Sequence, residues 1–268
     1  MKDMKICAIG DPHGDLKKIK KIPLRGVDLI LITGDIGSCN LIREMTFNNI
    51  KREKDGLEKI NYTKTKQKQA IMEPHNSSMK IIKYLKKYAP VLTIFGNVEC
   101  TNKDIKKQEK EIGEPLPKLY DELNALENVE VINNKIRRIK NTKIGGLKYF
   151  TDTNWVQDFK PKNYTTELKH AKKETKRAKE ILKWFNKLDI LICHQPPHKT
   201  LDKVSNKYGA PKQWWGKHAG SKTIRKYIEE KQPRYVFCGH IHEGAGKTKI
   251  GKTEIYNLGV GEYKIIKI

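Results

Sequence analysis

Five short apolar runs in this chain each stop on a residue able to ligate a metal, and that pattern restricts the fold more than any other feature. The clearest is Ile6–Asp15, Ile-Cys-Ala-Ile-Gly-Asp-Pro-His-Gly-Asp, where a strand pattern over residues 4–10 ends in Asp11 and His13. Two positions apart on an extended segment, these side chains leave on the same side. A carboxylate beside an imidazole suits a divalent ion such as Zn, Mn or Fe. Val27–Thr33 ends in Gly34-Asp35, Val91–Phe95 in Gly96-Asn97, Leu188–Cys193 in His194, and Arg234–Cys238 in Gly239-His240-Ile241-His242. The β-branched content and glycine boundaries of these runs predict strands. Ligands of α/β sheets gather at the carboxyl ends of strands, so five such ends predict one site where each alone would be a polar turn. Two carboxylates, four imidazoles and one amide exceed a single tetrahedral site and suit two divalent ions sharing a carboxylate. Such a pair lowers the pKa of a bridging water and clamps a phosphoryl group for in-line attack. No thiolate enters the set, so Mn, Fe, Co, Ni and Zn all remain open.

The order of these blocks resembles the calcineurin-like metallophosphoesterases, whose pattern is D-x-H, G-D, G-N-H-D/E, H and G-H-x-H. Here it reads Asp11-Pro-His13, Gly34-Asp35, Gly96-Asn97-Val98-Glu99, His194 and Gly239-His240-Ile241-His242, spread from residue 4 to about 260. The resemblance implies an α/β fold of two packed mixed β-sheets flanked by helices, a four-layer αββα sandwich. It implies that Asp11, His13 and His242 hold one metal, that Asn97, His194 and His240 hold the other, and that Asp35 bridges them. The tail, Gly-Ser-Lys-Thr-Ile-Arg followed by Gly-His-Ile-His-Glu and Tyr-Asn-Leu-Gly, resembles a small prokaryotic-type branch with relatives among animal nucleotide phosphodiesterases. The expected activity is hydrolysis of a small phosphodiester or nucleotide by a metal-activated bridging water. A nuclease, a phosphomonoesterase and a non-catalytic scaffold are the competing readings.

One position departs from the pattern. Where family members often carry a histidine that helps the leaving oxygen, this chain has Val98. His198 and His218 are the candidate replacements, since a general acid must lie within reach of the proton it delivers. Each is otherwise a loop histidine. Asn97 and Asn257 are candidate substrate contacts, and the Gly220-Ser221 helix start offers N–H groups to a phosphate. Glu99 is expected to brace rather than ligate, and Asp15 to orient a ligand or cap a helix. Trp214 and Trp215 either stack a base or plug a loop.

The 55 Lys and Arg residues outnumber the 31 Asp and Glu, giving +24. Nucleic acid is one partner for such a charge. The lysines are interleaved with glutamates along the whole chain, however, which favours a solvated surface over that reading or an anionic substrate. The five cysteines form no C-x-x-C pair, and Cys7, Cys193 and Cys238 fall inside apolar runs. That pattern predicts reduced thiols in a cytoplasmic protein without a membrane span. The length fits a single domain over residues 1–268. Segments 40–75 and 154–187 read as surface insertions. The first holds helices at Leu41–Ile50 and Lys64–Met72, with His75 in a loop. The second holds a stripe of Tyr164, Leu168, Ala171, Thr175, Ala178, Leu182 and Phe185 at helical spacing.

Overall fold

The strand runs are hydrophobic on both alternating faces, as strands covered on two sides must be, and each face meets a different layer. The computed structural model describes residues 3–268. Its first half comprises β1 (Lys5–Ile9), α1 (Leu16–Ile19), β2 (Leu29–Ile32), α2 (Asn40–Lys54), α3 (Lys64–Leu85), β3 (Val91–Thr93), α4 (Asn102–Ile112), α5 (Leu119–Asn124) and β4 (Val129–Val131). The second half adds β5 (Lys135–Ile139), β6 (Thr142–Leu147), α6 (Thr153–Phe159), α7 (Tyr164–Phe185) and β7 (Ile190–Cys193). It closes with α8 (Lys222–Lys231), β8 (Tyr235–Cys238), β9 (Gly246–Ile250), β10 (Thr253–Asn257) and β11 (Tyr263–Lys267).

Two mixed sheets result, ordered β11-β1-β2-β3-β4 and β5-β6-β7-β8-β10-β9. The central pairs β1–β2, β2–β3 and β3–β4 are parallel, as are β6–β7, β7–β8 and β8–β10. The flanking strands β11, β5 and β9 run antiparallel to their neighbours. In β1, Ile6 and Ala8 face the second sheet, packing in one cluster with Ile190, Ile192 and Phe237. Cys7 and Ile9 face the other way, onto Ile81, Ile82 and Leu85 of α3 and Leu119 and Leu123 of α5. The outer face of the second sheet, including Leu191, Val236 and Ile255, is covered by α7 and α8. These are the four layers and the α/β class that the family resemblance implies.

Three local differences from the sequence reading have physical causes. The helix expected to stop at Met72 runs through Pro74 to Leu85, so His75 is helical and sits 3.2 Å from Glu122 rather than in a loop. The proline removes one helical donor. The helix is held on both sides of it by the buried Ala70, Ile81, Ile82 and Leu85, and the Ser77 hydroxyl donates to the Glu73 carbonyl at 2.6 Å. Strand β9, Gly-Lys-Thr-Lys-Ile, carries no apolar run because it is an edge strand with exposed lysines, the usual guard on an open edge. The stripe on α7 buries Ala171, Thr175, Ala178, Leu182 and Phe185, while Tyr164 at its start is exposed. No helix among the described residues is long and apolar enough to cross a membrane.

Candidate metal centre

The parallel strands deliver the ligand candidates to one place because all their carboxyl ends point the same way. β1 leads into Asp11 and His13, β2 into Asp35, β3 into Asn97, β7 into His194, and β8 into His240 and His242. The first three strands are adjacent in one sheet and the last two in the other, so the centre straddles both. Three of the seven hold left-handed backbone, His13 at φ 44°, Asp35 at 45° and His240 at 65°. Such conformations cost a non-glycine residue on the order of 1–3 kcal/mol and persist only where the surroundings enforce them. Here the His13 N–H donates to the Asp35 carbonyl at 2.9 Å, and the His240 N–H to the Asp11 carboxylate at 2.6 Å. The backbone also passes unusually close to the carboxylates. A Cβ on Gly239 would lie 2.1 Å from Asp11 Oδ1, and one on Gly96 would lie 2.1 Å from Asp35 Oδ1. Glycine at these two positions is a requirement of space.

His13 Nε2 and His242 Nε2 are 3.2 Å apart, and His242 Nε2 is 3.3 Å from Asp11 Oδ2. His194 donates from Nδ1 to the Thr33 carbonyl at 2.9 Å, which turns Nε2 inward as the ligating nitrogen. That Nε2 lies 2.9 Å from Asn97 Oδ1 and 3.5 Å from Asp35 Oδ1. Asp35 Oδ2 is 3.9 Å from His13 Nε2, so its two oxygens reach toward both groups. The His240 ring packs 4.9 Å from that of His194 and 5.4 Å from that of Tyr149. The sets Asp11, His13, His242 and Asp11, Asp35, His194 each offer ligand atoms within 4.8 Å of one another.

Asp11 and Asp35 are buried, and no Lys or Arg among the described residues pairs with either. A desolvated carboxylate needs a cation or hydrogen-bond donors. Two imidazole nitrogens 3.2 Å apart beside a carboxylate have their lone pairs satisfied best by a divalent ion. The donor set therefore fits metal. Without a metal, imidazole must neutralise the carboxylates. His194 is pushed up to about 10 although burial opposes it, because Asp35 and Asp11 both face it. Burial, with His194 adding to it, drives His240 down to about 3. Asp35 is held below the usual carboxylate range: burial would raise it, but His194, His13 and the Val98 N–H together win.

A calcineurin-like phosphoesterase family model matches residues 4–244, the span that carries every one of these ligands. The chain belongs to the calcineurin-like phosphoesterase family. It is accordingly a metal-dependent phosphoesterase, a hydrolase of phosphoester bonds. Among curated relatives, it is 29% identical over 210 residues to Uncharacterized protein MJ1162 of Methanocaldococcus jannaschii, covering 72% of this chain and 88% of that one. It is 25% identical over 272 residues to the UPF0046 protein T07D4.2 of Caenorhabditis elegans, covering 95% of this chain and 55% of the worm protein. A solved crystal structure superposes with a TM-score of 0.59 at 16% identity over 99% of this chain and 98% of that one, a likeness of fold.

The other sites read from the sequence of this phosphoesterase distribute differently. Glu99 is a brace: its buried carboxylate accepts the N–H groups of Asp35, Ile36, Gly37 and Gly96 at 3.0, 2.6, 3.3 and 2.9 Å. Asp15 caps α1 by accepting from Lys18 N–H. Asn257 has no group left for substrate, since its amide donates to the Leu201 and Ile241 carbonyls and its oxygen accepts from Gly259 N–H. The helix start at Gly220-Ser221 is likewise closed: the N–H groups of Lys222, Thr223 and Ile224 go to Asn154, Asp152 and Ser221 side chains. Trp214 plugs a cluster with Trp155 and Phe159, its ring 5.9 and 5.3 Å from theirs, while Trp215 is exposed. His198 and His218 flank Asp202, lining a cavity that shares no lining residue with the cleft at the metal ligands. The structure thus gathers all seven ligand candidates and sets the two candidate proton donors apart.

Sequence reasoning missed several contributors. Thr33 donates to Asp11 Oδ1 at 2.9 Å while its carbonyl orients His194, and its place just before Gly34-Asp35 was the available signal. Arg43, Ile42 and Cys39 from the start of α2, with Ala70, Ile71 and Pro74 from α3, line the cleft above the ligands. Nothing in the composition of segment 40–75 announces this.

Two measurements follow. Glu99→Gln turns an amide N–H toward backbone donors, leaving at least one of them unpaired at a cost of about 1–3 kcal/mol. Metal affinity, read by chelator competition, should fall about 10–100-fold with the fold retained; an unchanged affinity would contradict the bracing role. Second, His194 raised to about 10 is protonated at pH 7 before metal binds, and a ligating imidazole must be neutral. Metal binding should therefore expel that proton, and affinity should fall as pH is lowered from about 10. Calorimetry in buffers of different ionisation heat checks this; zero proton release at pH 7 would contradict it.

Proposed function

We propose that the chain is a phosphodiesterase for small organic phosphodiesters or nucleotides, working with two divalent ions. One observation carries the reading. The ligand cluster opens into a cleft of about 490 Å³ whose lining includes the apolar side chains of Ile42, Ile71, Pro74 and Val98 together with Arg43. Such a lining seats an organic group next to phosphorus, which a diester has on both sides.

In this reading Asp11, His13 and His242 hold one ion, Asn97, His194 and His240 the other, and Asp35 is shared. When bound, the ions would supply Lewis acidity at the phosphoryl oxygens and lower the pKa of a bound water. The chain's own residues do the rest. Arg43 offers a guanidinium fork to a phosphate oxygen. Tyr208, whose ring packs edge-on to His242 with centroids 5.2 Å apart, supplies a face on which a base or aromatic ester can stack. Val98 supplies no proton, so the leaving groups best served are those of low basicity. The five cysteines are all free thiols, which supports a reducing, cytoplasmic setting.

The test is hydrolysis of bis(p-nitrophenyl) phosphate beside p-nitrophenyl phosphate. The protein is stripped of metal and refilled separately with Mn, Ni, Co and Zn, with Asp35→Asn as control. Diester cleavage that requires metal and drops by at least about 100-fold in the variant is expected. A preference for the monoester would reassign the chain to the phosphomonoesterases.

A further inference from the structure

His198 and His218, left over by the metal centre, belong to a cavity of about 710 Å³ between the 198–218 loop and α8. Its organising group is Asp202, whose side chain is 1% exposed. One carboxylate oxygen accepts from Lys199 N–H at 2.8 Å and Gly220 N–H at 2.9 Å. The other lies 2.7 Å from His218 Nδ1. That bond fixes the imidazole with Nδ1 as the donor and leaves Nε2 directed away from the carboxylate. His218 is half-exposed and lines the cavity. The His198 ring stands 5.8 Å from that of His218, is 8% exposed, and has a buried Nδ1 with no hydrogen-bond partner. A buried ring nitrogen without a partner is uncommon in a finished core.

The charges around these imidazoles are one-sided. Five cationic side chains line the cavity against two acids, Asp158 and Glu229. Glu229 is occupied by Arg225 at 2.7 Å. Lys217 donates to the Asp158 carbonyl at 2.9 Å, and Lys226 lies 3.7 Å from Glu230. Among the described residues neither Lys199 nor Lys222 pairs its ammonium group with a carboxylate. Burial holds His198 below its ordinary range, and Lys222 and His218 push the same way while Asp202 opposes. The backbone that carries the cavity wall is itself constrained, with Lys199 at φ 57° and Leu201 at 54°, a cost that persists only where the surroundings enforce it. No aromatic ring other than the two imidazoles lines the space, so it reads charge and hydrogen-bond acceptors rather than a base.

We infer that this cavity is a second anion site, separate from the metal centre, which binds the phosphate group of inorganic phosphate or a small phosphomonoester through His218, Lys199 and Lys222. The ligand is a phosphate anion whose acceptor oxygens two free ammonium groups and an oriented imidazole can meet with charge-assisted bonds. The helix start beside it contributes nothing directly, because its first N–H groups are already bonded. The inference stands independently of which ester the metal centre cleaves.

The experiment is calorimetric titration of the full chain, stripped of metal so that the first site does not compete. Inorganic phosphate is one arm and adenosine 5′-monophosphate the other, at fixed ionic strength. Lys199 and Lys222 are both exposed, so Lys199→Ala combined with Lys222→Ala should leave the fold intact. That variant and His218→Asn should each raise the phosphate Kd at least tenfold, whereas Lys87→Ala, exposed in the turn after α3, should not change it. Equal affinity for phosphate and the nucleotide assigns the ligand to phosphate alone; tighter nucleotide binding with the same variant dependence assigns it to the monoester. Absence of saturable binding of either probe would overturn the site, as would binding weakened as much by Lys87→Ala as by the cavity variants.

Discussion

Two buried carboxylates without a Lys or Arg partner are the constraint on which the rest of this structure depends. Asp11 and Asp35 are desolvated at the meeting point of two sheets, where an uncompensated charge would cost several kcal/mol. Every nearby feature answers that charge. Thr33 donates to Asp11, the Val98 N–H donates to Asp35, and imidazoles converge from β1, β7 and β8. The left-handed backbone at His13, Asp35 and His240 and the glycines at 96 and 239 are the geometric cost of bringing so many donors to one point. Divalent ions, which this donor set fits, would supply the neutralising charge, with His194 Nε2 placed to ligate.

A layer of bracing lies behind the ligands. Glu99 collects four N–H groups from the turns after β2 and β3, tying Asp35 and Asn97 to a common anchor. Burial and the charge of Asp35 raise it to about 7, so it too is relieved when cations offset Asp35. Glu73 and Ser77 of α3 hold the next turn, at Ser38 and Leu41. The segment that breaks the strand pattern thereby becomes a wall of the cleft. Helix α3 keeps its course through Pro74 because both sides of the proline are fastened.

Much of this was legible beforehand where the physics is local. A β-branched run stopping on Asp or His states both its strand and its candidate ligand, and the seven candidates were readable from five such runs, while the four layers followed from the family resemblance those runs carry. The role of Glu99 as a brace followed from residue type. What required the structure depends on packing between distant segments. His198 lies four residues beyond His194, yet pairing of Pro196–His198 with Ser221 carries it to Asp202 and another cavity. Asn257 ends a strand as the ligands do, but backbone carbonyls occupy its amide. Arg43 and Tyr208 sit in polar stretches whose proximity to the ligands no periodicity encodes. β9 has no apolar face to betray it.

The central claim is that the seven residues form a two-ion centre divided at Asp35. It is tested most directly by anomalous diffraction from crystals of the chain loaded with Mn. The account predicts two peaks about 3.5–4 Å apart, one against Asp11, His13 and His242, the other against Asn97, His194 and His240, with the Asp35 carboxylate between them. A single peak, or two peaks with Asp35 touching neither, would contradict it.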